Sequence, residues 1–358
     1  MENPFEDISK LLQEGRKVVL ARIIRQVGSS PRAVGTKCIV LEDGSMKGTI
    51  GGGLLEHQVM ERAEESLKEE KSSIIHFQLT GDELAKSDML CGGLVDVYLE
   101  PLFPENAVAG EIFKRISSFI NEGRKGVLLT LVSDGIKSED ETNRLLIEED
   151  GSKTGEIGTV SEEGKKRLAK FLEIKTPKLT EIEKGKESVF VEPLMPYDIL
   201  YLFGAGHVST FVASLASIVG FRVVVIDDRK EFANKERFKE ADELIVLPFS
   251  EVFEKINISS SSYIAIITRG HIHDLNVLRE ALKRSGGYIG MIGSRRKREK
   301  IYQALMEEGV LDERLKQVHS PIGMDIGAET PEEIAVSIVA ELIRVRASSN
   351  ISGEEIIS

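Results

Sequence analysis

The chain from Asp198 onward is the part that most restricts the fold. Short apolar runs recur there: ILYLF (199–203), FRVVVIDD (221–228), ELIVL (243–247), YIAIIT (263–268) and GYIGMIG (287–293). Each lacks the alternation of a half-exposed strand, so each reads as a strand covered on both faces. Segments of helical spacing separate them. In the first of these, Val208, Phe211, Val212, Leu215, Ala216 and Val219 fall on one face. Strands alternating with helices demand parallel pairing and right-handed crossovers. The C-terminal half is therefore expected to be a Rossmann-like α/β domain built on a parallel sheet.

The preceding half reads as an α+β domain. A short helix over residues 5–14 leads into a strand over 18–27. A hairpin turns at Asp43-Gly44, a dipeptide suited to a tight turn. The glycines Gly51, Gly52 and Gly53 open a helix over 54–68. Strands over 72–79 and 93–100 flank a polar loop carrying Cys91. A helix over 107–121, a hairpin of 126–133 with 143–149, and an exposed helix over 161–173 follow. The charged stretch 175–187 reads as the approach to a domain boundary, with Val189–Val191 a last strand. The expected domains are 1–190 and 191–358, and no internal repeat is expected.

Acidic residues outnumber basic ones by 59 to 47, a net charge of −12, which argues against nucleic-acid or anionic-membrane partners. The absence of tryptophan argues against base-stacking surfaces. No apolar run nears the ~18 residues of a membrane-spanning helix. With only Cys38 and Cys91 there is no disulfide framework, so a reducing, cytoplasmic setting is expected.

Gly204-Ala205-Gly206 sits between a strand and a helix, where a phosphate-binding turn belongs. Asp227 ends the second strand, 23 residues after Gly204, near the usual place of a ribose-binding acid. Two departures weaken a dinucleotide reading. Ser209 replaces the third glycine, and His207 stands where a pyrophosphate would lie. NAD(P) is thus a doubtful ligand, and an NAD(P)-dependent oxidoreductase with an N-terminal substrate domain is the alternative reading.

With GSSPRAVGTKCIVLEDGSMKGTIGGGLLE in the first half and LYLFGAGHVSTFVASLASIVGFRVVVIDDR in the second, the chain resembles the XdhC/CoxI family. TRGHIHD, GYIGMIGSRRK, SPIGMDIGAETPEEIAVSIVAEL and the Cys91-Gly92-Gly93 segment agree, so the resemblance runs from about Gly15 to Arg346. Members are accessory factors for xanthine dehydrogenase and related molybdenum hydroxylases. The resemblance implies a cytoplasmic chaperone that binds the molybdenum cofactor as cargo, supports its sulfuration and delivers it to an apo-hydroxylase. It also implies docking to a cysteine desulfurase. A homodimer is the expected assembly.

A carrier of that cofactor needs groups for a terminal phosphate and a polar pterin. Gly51, Gly52 and Gly53 offer bare amides at a helix start, with Glu56 in the first turn as a candidate cap for it and Arg32 nearby in sequence as an oxyanion clamp. Cys91 is the expected acceptor of a persulfide sulfur or ligand of molybdenum. Cys38, in an alternating strand, is expected to be a packed core residue. In the second half Gly204, Gly206, His207, Asp227, Arg269, His271, His273, Ser294 and Arg295 are expected to gather at the carboxyl ends of the strands. Ser294 reads as a helix cap with basic residues in the turn after it, an arrangement suited to an anion. The pair His271 and His273 lacks neighbouring cysteines, and no protein-bound metal is expected. Thr330-Pro331-Glu332-Glu333 reads as a capping box with proline in the first helical position.

Overall fold

Two antiparallel five-stranded sheets build the chain as far as Pro196, and one parallel five-stranded sheet builds the unit that starts at Tyr197. The structure, a computed structural model, describes residues 4–28, 32–78, 93–158, 164, 167–182 and 188–351. Among these, no helix is long and apolar enough to cross a membrane.

The first sheet joins β1 (Val18–Gly28), β2 (Lys37–Leu41), β3 (Met46–Gly48), β4 (Ser73–Gln78) and β5 (Gly93–Leu102) in the order β3-β2-β1-β5-β4. Helix α1 (Pro4–Gln13) precedes it, and α2 (Gly53–Glu69) follows β3. The second sheet joins β6 (Gly126–Val132), β7 (Asn143–Glu148), β8 (Lys153–Ile157), β9 (Lys178–Glu181) and β10 (Ser188–Leu194) in the order β8-β7-β6-β10-β9. Helix α3 (Ala107–Asn121) precedes it. The helix expected over 161–173 is seen at residues 164, 167 and 168, which are helical, and it ends in a short 3-10 helix, Ala169–Glu173, before β9; residues 161–163, 165 and 166 lie outside the described residues. Within the charged stretch 175–187, Lys178–Glu181 forms β9 of this sheet, and residues 183–187 lie outside the described residues.

The two sheets have the same topology, an internal repeat that the sequence reading misses. Glu14-Gly15-Arg16-Lys17 after α1 matches Glu122-Gly123-Arg124-Lys125 after α3, and both glycines are left-handed, at φ 77° and 79°. The first hairpin turns on Asp43, which accepts the Ser45 N–H at 2.9 Å, and the other on Asp150, which accepts the Ser152 N–H at 2.9 Å. Leu20 pairs with Glu100 as Leu128 pairs with Glu192. Each glutamate is followed by a proline, Pro101 or Pro193, placed beyond the end of the neighbouring edge strand, where no ladder N–H is needed. Phe5 of α1 stacks on Phe113 of α3 at 5.9 Å. These are matched positions as well.

Charge is buried along the same repeat. Arg22, wholly buried, donates to Glu100 at 2.6 Å and to Thr130 at 3.2 Å, its own counterpart in the repeat. Arg144 donates to Glu100 at 2.6 Å, while Lys37 and Arg22 pair with Glu192. Each copy's glutamate therefore takes a cation from the other copy, Arg144 on Glu100 and Lys37 with Arg22 on Glu192, while Glu100 also holds Arg22 of its own copy. Leaving one member of such a group unpaired costs about 3–5 kcal/mol.

The second unit orders its parallel strands β13-β12-β11-β14-β15. They are β11 (Ile199–Phe203), β12 (Arg222–Asp227), β13 (Glu243–Val246), β14 (Ser262–Ile266) and β15 (Tyr288–Met291). This is the Rossmann order, with the reversal between β11 and β14. Helices α4 (His207–Ile218) and α9 (Pro331–Ile351) cover one face. Helices α5 (Phe249–Val252), α6 (His271–Leu282), α7 (Arg295–Glu307) and α8 (Asp312–Lys316) cover the other. On α4, Val212 and Ala216 are buried, but Phe211 turns outward against the sequence expectation.

Candidate functional site

The turn after β11 approaches the end of β14 so closely that a Cβ on Gly204 would collide with the Ile267 carbonyl oxygen. That close approach and a φ of 106° explain the glycine. Gly206 is the N-cap of α4 and supplies no side-chain cap, so the turn presents backbone amides. His207, the first residue of α4, is exposed. Ser209 is fully buried, which suits the helix-to-sheet packing that the third glycine of a dinucleotide turn serves. Asp227 is buried at the end of β12, and its Oδ2 accepts the N–H of Ala205 at 2.9 Å. The Arg229 guanidinium grips both of its oxygens, at 2.9 and 3.0 Å. Arg269 donates to both oxygens of Asp228, at 2.5 and 2.8 Å. That hydrogen bonding and charge hold the Asp228 carboxyl down at about 2, against a smaller opposing effect of burial.

A second feature lies beyond β14 and β15. The starts of α6 and α7 border a cleft of about 560 Å³, lined by Gly270, His271, Leu275, Ser294, Arg296, Lys297, Lys300, Ile301 and Ala304. Ser294 caps α7, accepting the N–H of Lys297 at 3.3 Å, as its sequence context predicts. Thr268 donates to the fully buried Asp274 at 2.6 Å, and Lys297 pairs with the other oxygen of Asp274. This bond and ion pair tie the β14 loop to the first turn of α7. Arg295 is exposed beside the cap. His271 and His273 both lie on α6, where residues two apart point to different sides. His271 faces the cleft, while His273 packs edge-on against Phe249 at 5.4 Å. They do not form a chelating pair. Among the described residues no three His, Cys, Asp or Glu side chains cluster as a metal site requires.

In the first unit the Gly51–Gly53 turn opens α2, and Gly52 is its N-cap at φ 84°. The amides of Gly51 and Gly52 are already engaged, that of Gly51 by the Thr49 hydroxyl at 3.3 Å. Glu56 accepts from the N–H of Ile50 at 3.2 Å, the N–H of Gly52 at 3.0 Å and the hydroxyl of Thr49 at 2.5 Å. Burial alone would raise the Glu56 carboxyl, but these bonds prevail and hold it below its ordinary range. Cys38 lies fully buried on β2, and burial, with the Glu56 charge, pushes its thiol up to about 12. Arg32 is exposed. Cys91 and Gly92 lie outside the described residues.

One cluster is missed by sequence reasoning. Glu341 on α9 accepts from the Tyr288 hydroxyl at 2.5 Å and the Gly323 N–H at 3.2 Å, and pairs with His319 at 3.4 Å. It pins the loop that leads into α9 to β15. The available signal is a lone acid inside the apolar helical run AVSIVAEL. The capping box is formed as expected, Thr330 accepting the Glu333 N–H at 3.2 Å and Glu333 accepting the Thr330 N–H at 3.1 Å.

The family profile described as the XdhC Rossmann domain matches residues 200–342, and that of the XdhC and CoxI family matches residues 11–78. A Bacillus subtilis protein named as a probable xanthine dehydrogenase subunit is 25% identical over 348 residues, covering 97% of this chain and 98% of its own. The Escherichia coli protein YqeB, uncharacterised, is 25% identical over 347 residues, 96% of this chain, which spans only 46% of YqeB. A crystal structure described as a xanthine dehydrogenase from Bacillus halodurans superposes with a TM-score of 0.77 at 27% identity, covering 97% of this chain and 96% of the other.

Proposed function

Since the chain belongs to the XdhC and CoxI family, we infer that it is an accessory protein of a xanthine dehydrogenase-type molybdenum hydroxylase. The observation that carries this reading is the end-to-end match to the B. subtilis relative, which leaves neither unit unaccounted for. In this reading the protein binds the molybdenum cofactor as cargo, keeps it available for sulfuration by a cysteine desulfurase, and passes it to the apo-hydroxylase in the cytoplasm. A homodimer is the proposed assembly.

Each unit contributes its own groups to the proposal. In the first, Cys91 is the proposed thiolate for sulfur or molybdenum, and Arg32 and the Gly51–Gly53 turn are the proposed anion binders. Glu56 keeps that turn filled, so an incoming anion must displace a carboxylate. In the second, Gly204, Gly206, His207, Asp227, Arg269, His271, His273, Ser294 and Arg295 are the proposed set, and the roles differ. His271 and Ser294 border the cleft, whereas Asp227 is occupied by Arg229 and Ala205. The engagement of Asp227 counts against the oxidoreductase alternative, which needs that acid for a ribose.

The experiment is anaerobic incubation with molybdenum cofactor released from a hydroxylase, then desalting and analysis of pterin and molybdenum. Retention near one equivalent per chain is expected. Absence of both after desalting would overturn the carrier role.

A further inference from the structure

We propose that the cleft between α6 and α7 seats a phosphorylated heterocycle, with the phosphate between Arg296 and Lys300 and the ring on Leu275, Ile301 and Ala304. The class of ligand follows from the cleft; only the identification of the heterocycle as the cofactor's pterin rests on the functional reading above.

Charge is the first argument. The opening turn of α7 carries Arg295, Arg296, Lys297 and Arg298 and no acid. Cations at a helix N-terminus oppose the helix dipole. Of the four, Lys297 is neutralised by buried Asp274, Arg298 is turned away onto the neutral Ser320 carbonyl, to which it donates at 2.7 Å, and Arg295 does not line the cleft. Arg296 and Lys300 pair with no carboxylate among the described residues, and both line the cleft. They are four residues apart, so they share one face of α7. Opposite them α6 begins, with Gly270 at its cap and His271 after it. Two helix starts and two uncompensated cations thus face one space, which an anion would neutralise.

Shape is the second argument. Leu275 lies one turn beyond His271, and Ile301 and Ala304 lie one turn beyond Lys297 and Lys300, giving the cleft an apolar wall next to its basic rim. A volume of about 560 Å³ is within the range of small-molecule sites and exceeds what phosphate alone requires. The competing anion seat in the first unit is filled by Glu56.

The test uses the full chain, the double variant Arg296→Ala/Lys300→Ala, and the conservative Arg296→Lys/Lys300→Arg. Two probes are measured by anaerobic equilibrium dialysis: released molybdenum cofactor and guanosine 5′-monophosphate, with guanosine as the phosphate-free control. Both altered residues are exposed, and circular dichroism verifies the fold. Binding of cofactor that falls at least tenfold in the alanine variant and recovers in the conservative one supports the proposal. Cofactor binding unchanged by the alanine variant overturns the cleft while leaving the carrier role standing. Should the protein bind guanosine 5′-monophosphate, with the same loss in the alanine variant, but no cofactor, the cleft stands and the carrier role falls. Binding of guanosine as tight as that of its monophosphate, or of neither probe, overturns the cleft.

Discussion

Asp227 closes the turn that a dinucleotide would occupy, its Oδ2 accepting the N–H of Ala205 at 2.9 Å. Arg229 takes what remains of the carboxylate. A ribose diol would have to displace a bidentate guanidinium from a buried acid, and charge-assisted pairs of that kind are roughly twice as strong as neutral hydrogen bonds. The expected result is that none of the four nicotinamide dinucleotides binds more tightly than about 100 μM. Titration calorimetry checks this, and low-micromolar binding with turnover would restore the oxidoreductase reading.

Glu56 makes the Gly51–Gly53 turn pH-sensitive. Its folded carboxyl is below the ordinary value, so the stability it contributes is present above about pH 4.3 and is lost as pH falls through the lower folded value. Glu56→Gln removes a charged acceptor and is expected to cost about 1–2 kcal/mol at pH 7. The gap to the parent protein should close in acid. Urea unfolding at a series of pH values measures it; a gap that is constant with pH would show that the charge is irrelevant.

The two cysteines should behave differently. Cys38, fully buried and pushed up to about 12, should resist iodoacetamide at pH 8 in the folded chain and react only on unfolding. Cys91→Ala should abolish activation of the client hydroxylase, whereas Cys38→Ala should lower stability by about 1 kcal/mol and leave activation intact. Mass spectrometry of the alkylated protein and reconstituted hydroxylase activity are the readouts. Full activation with Cys91→Ala would remove the thiol from the proposed chemistry.

Glu100 holds two buried arginines, so Glu100→Gln should destabilise the first unit by about 3–5 kcal/mol, far more than the loss of a surface pair. Arg144→Met, which removes one cation and leaves Arg22 on Glu100, should cost less. Thermal unfolding followed by circular dichroism ranks them; equal, small losses would mean that the network contributes little.

The parallel sheet was legible because its strands are buried on both faces and carry uninterrupted apolar runs. The Ser294 cap and the Thr330 capping box were legible because each depends on residues within one turn. What escaped was long-range. Glu341 meets Tyr288 across 53 positions, and Arg22 meets Glu192 across 170, so neither pairing has a local signature. The Glu56 cap is legible for the same reason as the Ser294 cap, lying within six residues of the amides it accepts from, whereas residue types alone do not reveal that Arg229 turns back onto Asp227. The repeat did have a signal, the recurring Glu-Gly-Arg-Lys and Glu-Pro-Leu segments, but with only scattered identities the shared strand order is what makes it plain.

The crossed pairing of Glu100 with Arg144 and of Glu192 with Lys37 means that neither copy of the repeat is self-sufficient. A fragment ending near Pro104 would keep Arg22 on Glu100 but lose Arg144, and the fragment that continues from there would carry Glu192 with neither Lys37 nor Arg22. A polypeptide nicked between β5 and α3 should therefore behave as two complementing pieces, each disordered alone and regaining structure when mixed.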